Sequence, residues 1–581
     1  MARKEMTFKI GGEAGQGVES SGAGFAKALA RAGWHVFGIQ DYYSRIRGGH
    51  NFYQIRVSEE PIYSHTEPVD LLLALTQEAV DRHCDEVVTG GGVICEECLE
   101  VDSEALEDQD ISYFPAPLTD IALEQGGAEV MRNTAALGVA AGLIAFPFEV
   151  MASVIEDNFK KKSAGAVKRN LQVGEAGYHF AQDNYGGKLD YRLGRIEDAP
   201  PRMVMNGNEA LALGALLAGC KFVAGYPMTP ATSILQWMAV HGERYGVVVK
   251  HTEDEIAAIL MLIGAAHMGV RAMAPTSGGG FSLMTEALGL AGITETPIVI
   301  VEAQRPGPAT GLATRTEQGD LLFILHASQG EFPRIVLSPG TVEECFEAGW
   351  RAFNLGEKYQ CPVIILSDNF LANSVRTIDM NALDFAGVEI DRGELLTDQD
   401  LDQLEGDYLR YAYTESGISP RALPGHPKAV YQATGNEHTP DGHLTEEPEP
   451  RRMQVEKRLR KLDTALQEMD GPVWYGPPEA ELTLLSWGST YGPLRESVDR
   501  LNAEGREVNM LHIQDVWPFP TEKVRAALAD AGRTVMVEGN ATGQMAFLLE
   551  AHTGVKIDGH IRRYDGRPFS PEYVLARLEE V

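Results

Sequence analysis

Residues 271–304 read RAMAPTSGGGFSLMTEALGLAGITETPIVIVEAQ. A short apolar run is followed by a glycine break, a helix-length apolar segment and a second run rich in Ile and Val. That order is the strand–helix–strand pattern of a parallel sheet covered by helices. The alternation extends both ways. Upstream, from Asn206, helix NEALALGALLAG leads to strand KFVAGYP, helix PATSILQWMAVHG to strand GVVVKH, and helix EDEIAAILMLIGAAHMG to RAMAPT. Downstream lie the loop RPGPATGLATRTEQGDL, the strand RIVLSPG, helix TVEECFEAGWRAFNLGEKYQ and strand CPVIILSD. Ligands of such sheets gather outside the carboxyl ends of the strands, so the residues that follow each strand are the place to look for chemistry.

The chain has 581 residues, which at ~150 residues per domain predicts about three or four domains. Its 44% hydrophobic and 23% charged residues are those of a globular protein. A net charge of −33 argues against nucleic acid and against an anionic membrane surface. The start, MARKEMTFKIGG, runs into a strand pattern rather than a signal peptide. No run approaches the ~20 apolar residues that cross a membrane. Six cysteines cannot form a disulfide framework and suit a reducing cytoplasm.

The N-terminal part reads strand (TFKIGG), glycine loop (EAGQG), helix (VESSGAGFAKALARAG) and strand (WHVFGIQ), with further strands and a helical stretch to about Tyr185. These patterns predict an α/β domain over 1–185, a linker over 186–202 and the alternating domain over 203–378. An irregular surface excursion with one charged helix is expected over 379–478, and a second α/β domain over 479–581.

Each candidate motif has a plain structural reading beside a functional one. In GYPMTPATS, Thr229 and Pro230 suit a helix start, with a hydroxyl cap and proline at the first helical position; the same helix N-terminus suits a carboxylate. In HTEDEIAAI, Thr252 and Glu255 fit a capping box, yet a glutamate at a strand end can also do acid–base work. The triple glycine of TSGGGFS allows either tight helix–sheet packing or close approach of a flat ligand. The loop after PIVIVEAQ is stiff, rich in threonine and cationic through Arg305 and Arg315, so it is either a turn or the holder of an anionic substrate. GGEAGQGVESSG has glycine order GxxGxG, not the dinucleotide GxGxxG, although Asp41 lies at about the spacing of a ribose-binding acid. Arg45 and Arg47 in SRIRGGHN suit phosphate groups. Cys95-x-x-Cys98 is half a zinc site without a second pair, and no residues are assigned to a metal.

Together, YPMTPATS, EDEIAAI, TSGGGFSLMTE, RPGPATGLATRTEQGDL, GGEAGQG and RIRGGHN resemble the 2-oxoacid:ferredoxin oxidoreductases. The resemblance is to an α-subunit with the γ-domain fused at its N-terminus, over nearly the whole chain. It implies a pyrimidine-type thiamine diphosphate-binding domain with a parallel sheet, a transketolase C-terminal-like α/β domain and an N-terminal α/β γ-domain. It implies decarboxylation of a 2-oxoacid on thiamine diphosphate, electrons passing through a four-iron four-sulfur cluster to ferredoxin, and transfer of the acyl group to coenzyme A. Glu255 would hydrogen-bond the cofactor's aminopyrimidine ring. Thr229, Arg305 and Thr314 would hold the substrate, and Tyr226, Pro227, Gly278 and Gly279 would line the thiamine diphosphate. Gly15, Gly17, Ser44, Arg45 and Arg47 would contribute to coenzyme A. The diphosphate–magnesium motif GDG…N and the cluster cysteines are missing, so a β-subunit is expected to supply diphosphate binding, Mg and the iron–sulfur cluster. The same partner would dock ferredoxin, which is itself acidic, in a dimer of αβ pairs. The resemblance favours 2-oxoglutarate, in either direction of reaction, over pyruvate or a branched-chain 2-oxoacid. A non-catalytic nucleotide- or coenzyme A-binding regulatory subunit is the alternative of a different class, and an NAD-dependent dehydrogenase is weakened by the glycine order.

Overall fold

The computed structural model describes residues 5–43, 48–160 and 162–581. They divide into two compact units: residues 1–205, 373–382 and 570–573, and residues 206–372, 383–569 and 574–581.

The first unit holds an eight-stranded sheet, in spatial order Ser112–Ala116, Val87–Glu96, Val69–Ala74, Glu5–Glu13, His50–Ser58, His35–Asp41, Val375–Asp379 and Arg202–Met205. The sheet is mixed: Glu5–Glu13 runs parallel to Val69–Ala74 and antiparallel to His50–Ser58. Its apolar face packs on helix Val18–Arg31, where Phe25, Ala26, Ala28 and Leu29 are buried. Two expectations change here. The segment predicted to be a linker is packed, because Leu189, Tyr191 and Leu193 recur at every second residue and all three are buried. Leu193 N–H donates to Ile144 O at 3.0 Å and Trp34 Nε1–H to Gly194 O at 2.8 Å. Strands Arg202–Met205 and Val375–Asp379, read from sequence as parts of the alternating domain, pair with each other antiparallel and complete this sheet.

The second unit holds two sheets. A seven-stranded sheet runs Asp515–Trp517, Ile335–Leu337, Val363–Asp368, Val299–Gln304, Ala272–Thr276, Phe222–Gly225, Val248–His251, all parallel but for the first. Every residue of Val299–Gln304 and of Val363–Asp368 is buried, as helices on both faces require of a central parallel strand. A five-stranded sheet, Val473–Tyr475, Val508–Ile513, Leu482–Trp487, Arg533–Glu538, Gly559–Arg562, shares a core with it through Leu485, Trp487 and Met536.

Residues 379–478 are largely irregular and mostly exposed or half-buried up to one charged helix, but that helix is packed rather than solvated. Helix Pro448–Ala465 buries Gln454, Lys457, Arg458 and Lys461. Lys457 and Lys461 both pair with Glu295, which is fully buried. Ion pairs formed across more than 160 residues leave no local periodicity for the sequence to display.

Candidate functional site

Four segments leave the carboxyl ends of adjacent strands in the second unit: the loops Tyr226–Pro230 and Thr252–Asp254, Ser277 with the first turn of helix Gly278–Ile293, and the loop from Arg305. Helix Glu255–His267 is capped not by Thr252 but by Asp254, whose carboxylate accepts the Ala257 N–H at 2.8 Å. Thr252 Oγ1 donates instead to Asp254 O at 2.9 Å. The expected capping box is therefore replaced by a cap nearer the helix. The reason is position: Asp254 is the residue immediately before the helix, so its carboxylate meets the third N–H of the helix, which Thr252, two residues further back, does not. Glu255 is thereby released from capping. It is 3% exposed and its Oε1 has no hydrogen-bond partner. Burial, with a smaller push from Asp254, raises its carboxyl above the usual range.

The triple glycine explains where that carboxyl goes. A Cβ on Gly280 would overlap Thr276 Oγ1 and Glu255 Oε1 and stand 2.8 Å from Glu255 Cδ. On Gly278 it would overlap the Asp320 carboxylate, with Cγ at 3.1 Å. On Gly279, exposed, it would meet only Ala309 O at 3.9 Å. Two glycines thus admit carboxyl groups to the first turn of helix Gly278–Ile293, and the one between them faces open space. An acceptor held without a donor, beside a bare backbone turn, fits the aminopyrimidine edge of thiamine diphosphate.

Thr229 and Pro230 do not start a helix. The peptide between them is cis, and the helix begins at Thr232 after Ala231. The turn is held from behind by the buried Asn208, whose Nδ2 donates to Pro230 O at 3.0 Å and Ser233 Oγ at 2.8 Å. Its front is held by Arg305, whose Nη1 donates to Thr229 O at 2.8 Å. Arg305 and Thr229 are so brought together, both half-buried, while Tyr226 and Pro227 stay exposed, the Tyr226 ring edge-on to His251 at 6.2 Å. The loop folds back at Gly311, whose φ is +51° and whose Cβ would overlap Pro306 O. Thr314 lies half-buried on the returning limb. That limb is clamped at Gln318, whose N–H donates to Gly539 O at 2.6 Å and whose Oε1 accepts the Gly539 N–H at 2.8 Å.

Sequence reasoning passed over the acidic group behind this loop. Glu302 and Asp368 are buried near the ends of adjacent strands, and Asp320 precedes helix Leu321–His326. Burial and then the neighbouring Asp320 hold Glu302 well above the usual carboxyl range; burial also raises Asp320 and Asp368. The available signal was a glutamate inside the apolar run PIVIVEAQ.

In the first unit Gly15 and Gly17 adopt φ of +93° and +78°, Gly17 capping helix Val18–Arg31. The approach that Gly17 allows is to Asn133 Nδ2, which donates to Gln16 O at 3.1 Å. Both glycines border a cleft of about 710 Å³ lined by Ser20, Lys27, Asn133 and Phe25 among others. Ser44, Arg45 and Arg47 lie outside the described residues. Cys95 is buried, and burial pushes its thiol up to about 11. Among the described residues no group of three or more His, Cys, Asp or Glu could hold a metal ion, and no helix is long and apolar enough to cross a membrane.

Residues 213–457 match the family described as pyruvate flavodoxin/ferredoxin oxidoreductase, thiamine diphosphate-binding. Residues 7–180 match pyruvate ferredoxin/flavodoxin oxidoreductase, and 480–574 match its core domain II. The 2-oxoacid:ferredoxin oxidoreductase subunit alpha of a Sulfolobus species is 32% identical, over 97% of this chain and 95% of its own. The 2-oxoglutarate oxidoreductase subunit KorA of Mycobacterium tuberculosis is 29% identical over 96% and 89%. A solved structure of 2-oxoglutarate:ferredoxin oxidoreductase from Magnetococcus marinus, with 2-oxoglutarate, coenzyme A and succinyl-CoA bound, superposes with a TM-score of 0.91 at 33% identity, covering 100% of this chain and 99% of that one. By these matches over nearly its whole length, the chain belongs to the 2-oxoacid:ferredoxin oxidoreductase family, as an α-subunit.

Proposed function

We propose that this chain is the α-subunit of an enzyme that oxidatively decarboxylates 2-oxoglutarate, releasing carbon dioxide, passing two electrons to ferredoxin and forming succinyl-CoA. The observation that carries the reading is the buried, donor-free Oε1 of Glu255 beside Gly280. Thiamine diphosphate, when bound, supplies the electron sink that decarboxylation requires. Glu255 meets its aminopyrimidine and holds or returns a proton at Oε1, and burial, which raises its carboxyl, favours its holding that proton. Gly279 leaves room for the ring, with Tyr226, Pro227 and Gly278 around it. Arg305 holds the substrate carboxylate, with Thr229 and Thr314 at the keto oxygen. Gly15 and Gly17, with Ser44, Arg45 and Arg47, serve coenzyme A. The length-wide likeness to the Magnetococcus marinus enzyme favours 2-oxoglutarate over pyruvate or a branched-chain oxoacid.

A β-subunit supplies the diphosphate–magnesium site, the iron–sulfur cluster and the ferredoxin dock, in a cytoplasmic dimer of αβ pairs. The need for a partner is supported by apolar side chains left in water: Ile256, Leu260 and Met261 on helix Glu255–His267 and Leu283 on the next, each 39–49% exposed. The test is methyl viologen reduction by the chain alone and co-expressed with its β-subunit, with coenzyme A, thiamine diphosphate and a panel of 2-oxoacids. Activity confined to the pair, greatest with 2-oxoglutarate, and lost in Glu255→Gln and Arg305→Ala pairs that still assemble, is the expected result. An assembled pair inert on every oxoacid would overturn the proposal.

A further inference from the structure

The carboxyl of Glu302 is not used by the reaction as described, and its surroundings do not suit an isolated anion. It is 0% exposed and neither oxygen meets an N–H or O–H donor. Gln304, two residues on and so on the same face of the strand, accepts the Asp320 N–H at 3.0 Å, which brings the Asp320 carboxyl to the side of Glu302. Two carboxyl groups in contact cannot both ionise at little cost; the arrangement closes when a single proton lies between them, one group donating and the other accepting.

The surroundings also say which of the two is charged. Asp320 lies against Gly278, the first residue of the sixteen-residue helix Gly278–Ile293, where the helix dipole favours negative charge. Its own N–H donates to Gln304 Oε1 at 3.0 Å, and Gln304 Nε2 donates to Ser367 O at 3.1 Å, so its place is fixed by the strand ends. Glu302 has Thr276 and Leu366 as its partners on the flanking strands, and the charges around it are Asp320, Asp368 from the adjacent strand, and Arg305 three residues on. Asp368 is occupied by the Leu371 N–H at 3.1 Å and Thr316 Oγ1 at 3.2 Å. Glu317 faces Asp320 from the loop. Arg305 in turn has Glu302 and Asp320 as its acidic neighbours.

We infer that Glu302 and Asp320 form a carboxyl pair that shares one proton, and that its single negative charge, acting through space, partly offsets the charge of Arg305 and so sets how tightly that arginine holds the substrate carboxylate. The inference rests on Arg305 being the partner of that carboxylate, as proposed above. Glu302 then acts on the substrate through the charge it presents to Arg305, whose own side chain is held by Thr229 O. When the shared proton is lost at alkaline pH, a second negative charge stands behind Arg305 and competes with the incoming anion. Substrate affinity falls while the chemistry at Glu255 is untouched.

The test uses the assembled αβ enzyme, with KM and kcat for 2-oxoglutarate followed from about pH 6 to about pH 10. In the wild type KM is expected to rise on the alkaline side by at least ~3-fold with kcat holding. Glu302→Gln keeps an N–H directed at Asp320 and cannot ionise, so it should have the wild-type KM at neutral pH and no alkaline rise. A wild-type KM flat across the range would overturn the inference, as would an unchanged alkaline rise in Glu302→Gln. If Glu302→Gln does not assemble, Asp320→Asn is read in its place, and an alkaline limb that does not move refutes the pair. Arg305→Ala separates the two levels. An unchanged KM there removes the carboxylate-holding role itself, whereas a raised KM together with a persistent limb in Glu302→Gln removes only the carboxyl pair.

Discussion

Gly280→Ala is the most discriminating perturbation of the site. The added methyl would overlap Thr276 Oγ1 and Glu255 Oε1 and come 2.8 Å from Glu255 Cδ, where ordinary contact begins at about 3.4 Å. The neighbours must therefore move, and Glu255 is the freer of the two, because its Oε1 has no hydrogen bond to lose. Its carboxyl carbon retreats by roughly 0.6 Å and its oxygen by more. Misplacing a reacting group by about 1 Å costs on the order of 100-fold in rate. Overpacking costs about 1–3 kcal/mol of stability, and replacing a helical glycine by alanine returns about 0.5–1 kcal/mol. The expected variant thus folds, assembles with its β-subunit, melts within a few degrees of the wild type and loses about two orders of magnitude in kcat. Gly279→Ala is the internal control: its methyl meets only Ala309 O at 3.9 Å, so stability is retained while the open space beside Glu255 is invaded. It should weaken thiamine diphosphate binding, measured by quenching of protein fluorescence in the assembled pair. If Gly280→Ala turns over at the wild-type rate, a displaced Glu255 carboxyl does not matter, and the assignment of this glutamate is wrong.

Three further outcomes follow from buried charges. Burial raises the carboxyl of Glu255, so the native chain binds that proton more readily than the unfolded one; the associated stability is complete below the unfolded value and is lost as pH rises through the native one. Urea denaturation of the free chain should find Glu255→Gln more stable relative to wild type at neutral pH than at acid pH, and an equal difference at both would contradict the burial argument. Removing Glu295 leaves Lys457 and Lys461 unpaired in the core, Lys457 already pulled down to about 7 chiefly by burial. Glu295→Ala should cost about 3–5 kcal/mol and open the 379–478 segment to limited proteolysis, whereas co-replacing both lysines with methionine should restore resistance. His50, 4% exposed and 2.7 Å from the His83 ring nitrogen, is held down at about 4, first by burial and then by His83. Its stability contribution is present above pH 6.5 and is lost as pH falls toward 4, by at most about 3 kcal/mol; His50→Gln should flatten that acid slope in a thermal-melt series.

Local pattern carried much of this protein. Strand–helix alternation from Asn206 defines the second unit's main sheet, because a central strand with both faces covered must be apolar along its length, as Val299–Gln304 is. The loops worth reading could be found for the same reason, since each follows such a strand. What the sequence could not show is which atoms meet once the strands are in register. Thr252 and Asp254 are both legitimate helix caps by composition, and only backbone geometry chose Asp254 and released Glu255. The triple glycine could be packing or ligand space until Asp320 was found over Gly278 and Glu255 over Gly280. Leu189, Tyr191 and Leu193 carried a legible alternation that the prolines beyond them masked, so a packed strap was read as a linker. Lys457, Lys461 and Arg458 looked like solvated charge because charged residues are rarely buried without partners, and their partners Glu295 and Glu437 come from other segments of the chain. Periodicity reports the environment of one element; the pairing of groups far apart in sequence is decided by topology, and the chemistry of this site lies in such pairings.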